Sequence, residues 1–352
     1  MVVRVYLKQA WNLMKQNPLF STLYIVGTGI SIVMTMVIAI VYYVRLAPVY
    51  PETNRMRTLV VKSAKMTNDE STHSSNISYA MLKDWFYSLE SAEVSTGVSG
   101  TSYARVTNDK EEIPTYARYT DENFFRVFPL VFLEGKPFTE ADRRSGIHNV
   151  VLTDSYAQQL FGTTKGVVGK NFLMDYTNVK VVGVVKSGSF LTPDSYAQVY
   201  LPYSCRDGYD DEGSHWALGG YRVYILMKES KSVTDVQDEV LELVRKFNVS
   251  DMGDGWKLDL VGQPELYWHS TFRLWSNVAV DWGRVIWMFV GIFMVLLFVP
   301  AFNLSGMISA RMERQLPDLG IRKAFGASRR RLLVQIIWEN LLLTGLGTLL
   351  GL

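Results

Sequence analysis

The sequence predicts an α+β membrane protein in which transmembrane helices flank an extracytoplasmic α/β domain that carries an inserted β-rich domain. Three observations lead there. Two long stretches, Gln16 to Val44 and Val285 to Ala310, contain no charged side chain. Basic residues cluster before the first stretch and after the second. Between them, strand–helix–strand patterning appears near the start and again near the end of a long polar region. Across 352 residues, 20% charged side chains coexist with a mean hydropathy of +0.06, so apolar sequence is concentrated locally.

The first element is a short amphipathic segment, 1–18, with Arg4, Lys8 and Lys15. A transmembrane helix is expected over 19–44, opened by Pro18. Its 26 residues would measure about 39 Å against a hydrocarbon core of roughly 30 Å, so its end projects beyond lipid. A cleaved signal peptide has an apolar core of only about 7–15 residues, which favours a retained anchor. The second span is expected over 284–310. Pro300 interrupts it, which a membrane helix accommodates when neighbouring groups satisfy the freed carbonyl. From 311 to 339 seven Lys/Arg face three acids. Positive loops stay inside, so this loop and the N-terminus are both placed in the cytoplasm and residues 45–283 outside. After the loop at 311–331, residues 332–352 read as the start of a third span that is cut short.

The basic ends, set against a formal total of +2, leave −5 for the region between them. That balance argues against nucleic-acid binding. A single cysteine, Cys205, allows no intrachain disulfide. Within the outer region, Arg57 to Lys62 alternates as a strand, Tyr79 to Leu89 has helical spacing, and Glu93 to Val106 reads as a strand. Tyr221 to Met227, Val233 to Phe247 and Trp256 to Val261 repeat that order. Asn149 to Leu152, Asn171 to Met174 and Val179 to Val185 read as short strands around a helix at Ser155 to Phe161, which places a β-rich insertion near 110–205. The acidic, Gly-rich tract from Ser204 to Gly220 reads as an exposed loop.

Trp268, Trp275 and Trp282 recur every seven residues, with Trp287 and Arg284 at the start of the second span. The pattern fits an interfacial aromatic belt, and also a stalk helix over 266–283 packing near Tyr42, Tyr43 and Tyr50. In the first span Gly27, Ser31, Thr35 and Ala39 recur every four residues, and Gly347 and Gly351 repeat the spacing. Small residues let membrane helices approach closely.

A search for chemistry finds little. Gly162 to Asn171 has the wrong spacing for a phosphate loop and lacks its Ser/Thr. His73, His148, His215 and His269 are scattered, without metal-ligand spacing. No G-x-S-x-G elbow occurs. No catalytic residue, cofactor or metal site is therefore expected, and any ATP used must be hydrolysed by another chain.

Gly320-Ile321-Arg322-Lys323-Ala324-Phe325-Gly326-Ala327, followed by an Arg run, Gln335 and Glu339, resembles the ABC-transporter permease subunits that include MacB and FtsX. The segments LKQAWNLMKQNPLFS, VLTDSYAQQLFG, VKVVGVVK and SYAQVYLPY extend the resemblance over most of the chain, toward Bacteroidetes-type members. It implies an ATPase-coupling loop at Arg311, Glu313, Arg314, Asp318, Gly320, Ile321, Arg322, Lys323 and Gly326, in which Pro317 should break or kink a coupling helix. It implies porter-like flanks at 55–109 and 206–265 and a sabre-like insertion at 110–205. Expected partners are a separate ABC ATPase, a second permease copy (homodimer or paralogue), a periplasmic adaptor, an outer-membrane channel and membrane lipid. The implied location is the bacterial inner membrane with a periplasmic domain. The implied function is transmission of ATP-driven motion for efflux. The alternative is an FtsX-type regulator of a wall hydrolase.

Overall fold

The computed structural model describes residues 11, 15, 18–100, 102–107, 112–206, 208–210, 216–250, 255–296, 298, 317, 320–321, 323–326 and 328–351. The chain divides into two compact units, Val44–Asp281 and a helical unit formed by Met1–Tyr43 with Trp282–Leu352.

In the helical unit a 29-residue helix covers Pro18–Leu46, its last residues reaching into the other unit. Its stretch Ser21–Leu46 is the one helix, among the described residues, long and apolar enough to cross a membrane. A shorter apolar helix covers Trp282–Leu296 and a third helix covers Arg329–Gly351. About half of the second expected span, at 297 and 299–310, lies outside the described residues.

The outer unit opens with β1 (Thr58–Val61), β2 (Ala64–Thr67), β3 (Thr72–Ile77) and β4 (Ala92–Ser99). The insertion supplies β5 (Ser102–Thr107), β6 (Glu112–Thr120), β7 (Phe132–Gly135), β8 (Asn149–Thr153), β9 (Asn171–Met174), β10 (Thr177–Val185) and β11 (Val199–Pro202). The chain then returns through β12 (Leu218–Gly219), β13 (Tyr221–Met227), β14 (Lys257–Asp259) and β15 (Glu265–Leu266). The first sheet runs β14-β2-β3-β13-β1-β15, with β4 on β13 and β12 on β3. In the second, β9 pairs with both β5 and β10, so β10-β8-β11-β6-β5-β9 closes into a six-stranded barrel with β7 on its flank. Closure removes the exposed edges that an open sheet of short strands would carry.

Local chemistry explains these elements. All four β1 residues are buried, as a strand covered on both faces requires. The helix at Val233–Val249 starts at a capping box between Ser232 and Asp235 and buries Val236, Val240, Val244 and Phe247 along one stripe. The barrel is filled by Ala104, Val106, Val150, Leu152, Val181 and Val199, with Tyr156 and Leu160 from the helix at Asp154–Phe161.

Three sequence expectations change. The helix expected over Tyr79 to Leu89 is an α-helix only at Tyr79–Asp84, followed by a 3-10 turn at Phe86–Ser88. Ser88 Oγ donates to the carbonyls of Asp84 and Trp85, competing with helical continuation. Trp85 instead packs on Trp216 and Phe247. The strand expected over Glu93 to Val106 is two strands in different sheets, parted at Gly100, so the second sheet begins at Ser102 rather than near 110. No α-helix forms between Leu266 and Asp281. That path holds a 3-10 turn at His269–Phe272 and irregular chain.

The two sheets are joined by an apolar layer and a polar pin. Val60, Val98 and Tyr224 from the first sheet meet Val151, Val185 and Tyr200 from the second, around Phe124, Phe125 and Phe128. At its side Asp121 is fully buried and accepts from Thr96 Oγ1 at 2.6 Å, Gly97 N at 2.9 Å, Tyr87 OH at 2.5 Å and Phe124 N at 3.2 Å. Burial pushes its carboxyl up to about 6, while the bonds from Thr96, Tyr87 and Gly97 pull the other way.

Candidate functional site

A helix leaves its last carbonyls without intrahelical partners. At the end of the Pro18–Leu46 helix, Arg55 supplies one: its Nη1 donates to the Val44 carbonyl at 2.7 Å. Val44 is the first residue of the outer unit, so this contact belongs to that unit. Arg55 is 3% exposed and pairs with Glu52, itself buried. Glu52 Oε1 also accepts from Ser195 Oγ at 2.7 Å and Tyr267 OH at 2.9 Å, and the Arg55 guanidinium lies 5.2 Å from the Tyr267 ring centroid. Burial, with Asp194 and Glu52 nearby, keeps the Tyr267 hydroxyl protonated. Just before this cluster, Tyr50 OH donates to Lys186 O at 2.8 Å and accepts from Val131 N at 3.2 Å, which ties the chain after the helix to the barrel. Charge, ring and hydroxyl groups thus join residues 44–55 to three distant parts of the outer unit.

The other strand of chain leading out of the outer unit is fixed differently. Arg273 Nε donates to Glu265 Oε1 at 2.7 Å, its Nη2 donates to Val261 O at 3.3 Å, and its Nη1 donates to Val278 O. Ser63 Oγ donates to Ser276 O. These bonds hold Phe272 to Val278 in an irregular path, which is why the seven-residue tryptophan spacing does not produce a helical stalk. Trp268 is half-buried and Trp275 exposed on that path. Trp282 and Trp287 both lie on the Trp282–Leu296 helix and are exposed, and five positions of separation put them on different sides of it.

Within the helical unit, Gly27, Ser31 and Thr35 are half-buried and Ala39 is exposed. Ser31 Oγ and Thr35 Oγ1 donate back along their own helix, to Gly27 O at 2.9 Å and Ser31 O at 2.8 Å. The buried positions are the neighbouring Tyr24, Thr28 and Gly29. Tyr24 OH bonds Thr344 Oγ1 at 2.9 Å, and a Cβ placed on Gly347 would lie 2.7 Å from Thr28 Cβ. The absence of a side chain at Gly347 therefore lets the Arg329–Gly351 helix reach the first helix. Tyr42 packs against Phe289 with ring centroids 5.2 Å apart.

Of the residues of the expected coupling loop, Arg311, Glu313, Arg314, Asp318 and Arg322 lie outside the described residues. Pro317 is helical, and its neighbours at 311–316 and 318–319 lie outside the described residues. Gly320, Ile321 and Lys323 are also helical. The turn closes through Phe325 N to Ile321 O at 3.0 Å and Gly326 N to Lys323 O at 3.1 Å, and Gly326 has a φ of +85°, the left-handed conformation that ends helices without a Cβ penalty. Ile321 is 57% and Phe325 89% exposed beside the exposed Lys323. This exposed apolar pair stands with Lys323 on a capped helical end. Phe325 was visible only as part of the motif. Arg55, Glu52, Ser195 and Tyr267 carried no signal, because the partners of Glu52 lie 143 and 215 residues away.

An apolar-helix unit in the same chain as a large α/β unit, with an exposed basic and apolar turn ahead of the Arg329–Gly351 helix, fits a membrane permease-type protein. Residues 20–243 match the family model described as the MacB-like periplasmic core domain, and residues 277–352 match the FtsX-like permease C-terminal family. The chain belongs to the MacB-like, FtsX-like family of ABC transporter permeases. It is similar to the macrolide export ATP-binding/permease protein MacB of Bdellovibrio bacteriovorus, at 23% identity over 62% of this chain and 32% of that protein. It is similar to the uncharacterized ABC transporter permease YvrN of Bacillus subtilis, at 22% identity over 66% of this chain and 54% of that protein. The chain thus spans from about a third to about half the length of these curated relatives. Among solved structures, the periplasmic region of MacB from Actinobacillus actinomycetemcomitans aligns with a TM-score of 0.41 and 16% identity, over 56% of this chain and 88% of that one. A domain of a permease protein from Porphyromonas gingivalis aligns with a TM-score of 0.43 and 16% identity, over 58% of this chain and 88% of that one.

Proposed function

We propose that this chain is the membrane subunit of an ABC transporter that receives ATP-driven motion from a separate cytoplasmic ATPase and passes it to its outer unit, supporting export of a substrate. The observation that carries this reading is the Ile321–Lys323–Phe325 turn, whose exposed apolar and cationic groups stand on a rigidly capped helical end. On this reading the cytoplasmic groove of the ATPase takes Phe325, and Lys323 meets acids at the groove's rim. Movement of the turn is carried along the helices and delivered at Val44, where the Arg55–Glu52–Tyr267 cluster couples it to both sheets. Packed interfaces of this kind shift as rigid bodies rather than deforming continuously. No catalysis by the chain itself is required.

The same reading places the chain in the bacterial inner membrane with its N-terminus inside and residues 45–283 in the periplasm, divided into porter-like flanks and a sabre-like barrel. It works as a pair of permease copies with an adaptor and an outer channel as further partners. The test is co-purification of the separate ATPase with the full chain from membranes. Phe325→Asp together with Lys323→Glu should abolish recovery of the ATPase while leaving the amount of chain in the membrane unchanged. Undiminished recovery with the double variant would sink the docking role.

A further inference from the structure

A half-open cavity of about 340 Å³ on the outer unit is lined by five basic side chains, Arg45, Arg55, Lys62, Arg222 and Arg273, with Asp194 as its carboxylate. Its size falls at the low end of small-molecule sites. The charges inside do not cancel. Arg55 is matched by Glu52, and Arg273 by Glu265 at 2.7 Å. Lys62 at 3.6 Å and Arg222 at 3.1 Å share the one Asp194 carboxylate. Arg45 is exposed and has no acidic partner among the described residues.

Two positive charges are therefore left over around the cavity, in a recess where low-dielectric walls concentrate the field. Asp194 does not relieve the surplus. Although burial opposes its ionisation, Lys62, Arg222 and Arg118 hold its carboxyl below the usual range, so it is already counted as charged at neutral pH. Thr271 adds a half-buried hydroxyl to the wall that makes no side-chain hydrogen bond with the described residues. Guanidinium forks with a hydroxyl beside them match the several oxygens of a phosphate group better than a lone carboxylate. Arg45 stands in the last turn of the long apolar helix, so the cavity adjoins the point at which that helix would leave a bilayer.

We propose that this cavity is a binding site for a phosphate-bearing anion, held by Arg45, Lys62 and Arg222 with Thr271. The phosphate comes either from the headgroup of an anionic phospholipid or from a soluble phosphate ester. The lipid source rests on the Pro18–Leu46 helix crossing the membrane. The site itself does not depend on the docking of an ATPase, and the test below is read without one.

The experiment uses the full chain. In detergent at low salt, binding of inorganic phosphate and glycerol 3-phosphate is followed by equilibrium dialysis. In nanodiscs of phosphatidylcholine with or without phosphatidylglycerol, retained lipid is counted by native mass spectrometry. Saturable binding of the soluble probes supports the site with a soluble source, and selective retention of phosphatidylglycerol supports it with a lipid source. In either arm Arg45→Glu and, separately, Thr271→Glu should weaken binding at least about tenfold, the equivalent of one charge-assisted hydrogen bond. Lys165→Glu, at an exposed position that does not line the cavity, should leave it unchanged. Thermal unfolding checks that each variant is folded, and Thr271→Glu leaves the membrane helix untouched. The proposal is overturned if neither probe binds saturably, or if both cavity variants bind as tightly as the parent chain.

Discussion

Arg55 holds the carbonyl of Val44 at 2.7 Å, which puts a buried guanidinium at the point where the long apolar helix passes into the outer unit. Arginine near a helix C-terminus is favoured by the exposed carbonyls and by the helix dipole. Here the same guanidinium is also paired with Glu52 and stacked on Tyr267, so the helix end is fastened through charge as well as hydrogen bonding.

Arg55→Met removes the partner of a buried carboxylate and should destabilise the outer unit by about 3–5 kcal/mol, the range for breaking a buried ion pair on one side. Adding Glu52→Gln to that variant should recover part of the loss, because the stranded charge disappears. Denaturant unfolding of the full chain in detergent, followed by tryptophan fluorescence, measures both. Strictly additive losses would mean that the two residues do not act as a pair.

Asp121 gives a pH dependence with a defined sign. Its carboxyl is raised to about 6 in the fold, chiefly by burial, against an ordinary value of 3.8. Between those values the folded chain holds a proton that the unfolded chain has released, so stability falls as pH rises from about 4 to about 6 and is level above that. The melting temperature of the parent chain relative to Asp121→Asn should drop across this window. A relative stability that instead rose with pH would show that the bonds from Thr96, Tyr87, Gly97 and Phe124 outweigh burial.

Gly347 tests the helix contact. A side chain there meets Thr28 Cβ at 2.7 Å and the Ile25 carbonyl at 3.1 Å, with backbone that cannot yield. In a Cys205→Ser background, Tyr24→Cys with Thr344→Cys should cross-link on oxidation, since the native side chains bond at 2.9 Å. Gly347→Leu should suppress that cross-link. Equal cross-linking with and without the leucine would remove the close approach from the account.

Much of the outer unit was legible because periodicity and capping speak locally. The helix expected over Val233 to Phe247 forms at Val233–Val249, set by its apolar stripe and the Ser232–Asp235 box, and the short strand expected at Asn171 to Met174 forms there. What the sequence hid depends on distant partners. The parting of the expected strand at Gly100 reflects two sheets competing for one run of β-forming residues. The tryptophan heptad suggested a stalk because spacing cannot register that Arg273 would bind Glu265, Val261 and Val278 and hold the chain out of a helix. The Ile321–Phe325 turn was readable as a basic motif, whereas the exposure of Phe325 needed the Gly326 cap to be seen.

The central claim, that motion begun at the cytoplasmic turn reaches the outer unit through Arg55, is tested most directly by a distance measurement. With Cys205→Ser and a spin label at Tyr176→Cys, on the exposed β9–β10 hairpin, distances between the outer units of the proposed permease pair are recorded in complex with the proposed ATPase, with and without ATP. The account predicts a distribution that shifts on adding ATP in the parent chain and stays fixed in Arg55→Met. An identical shift in both chains, or no shift in either, would contradict it.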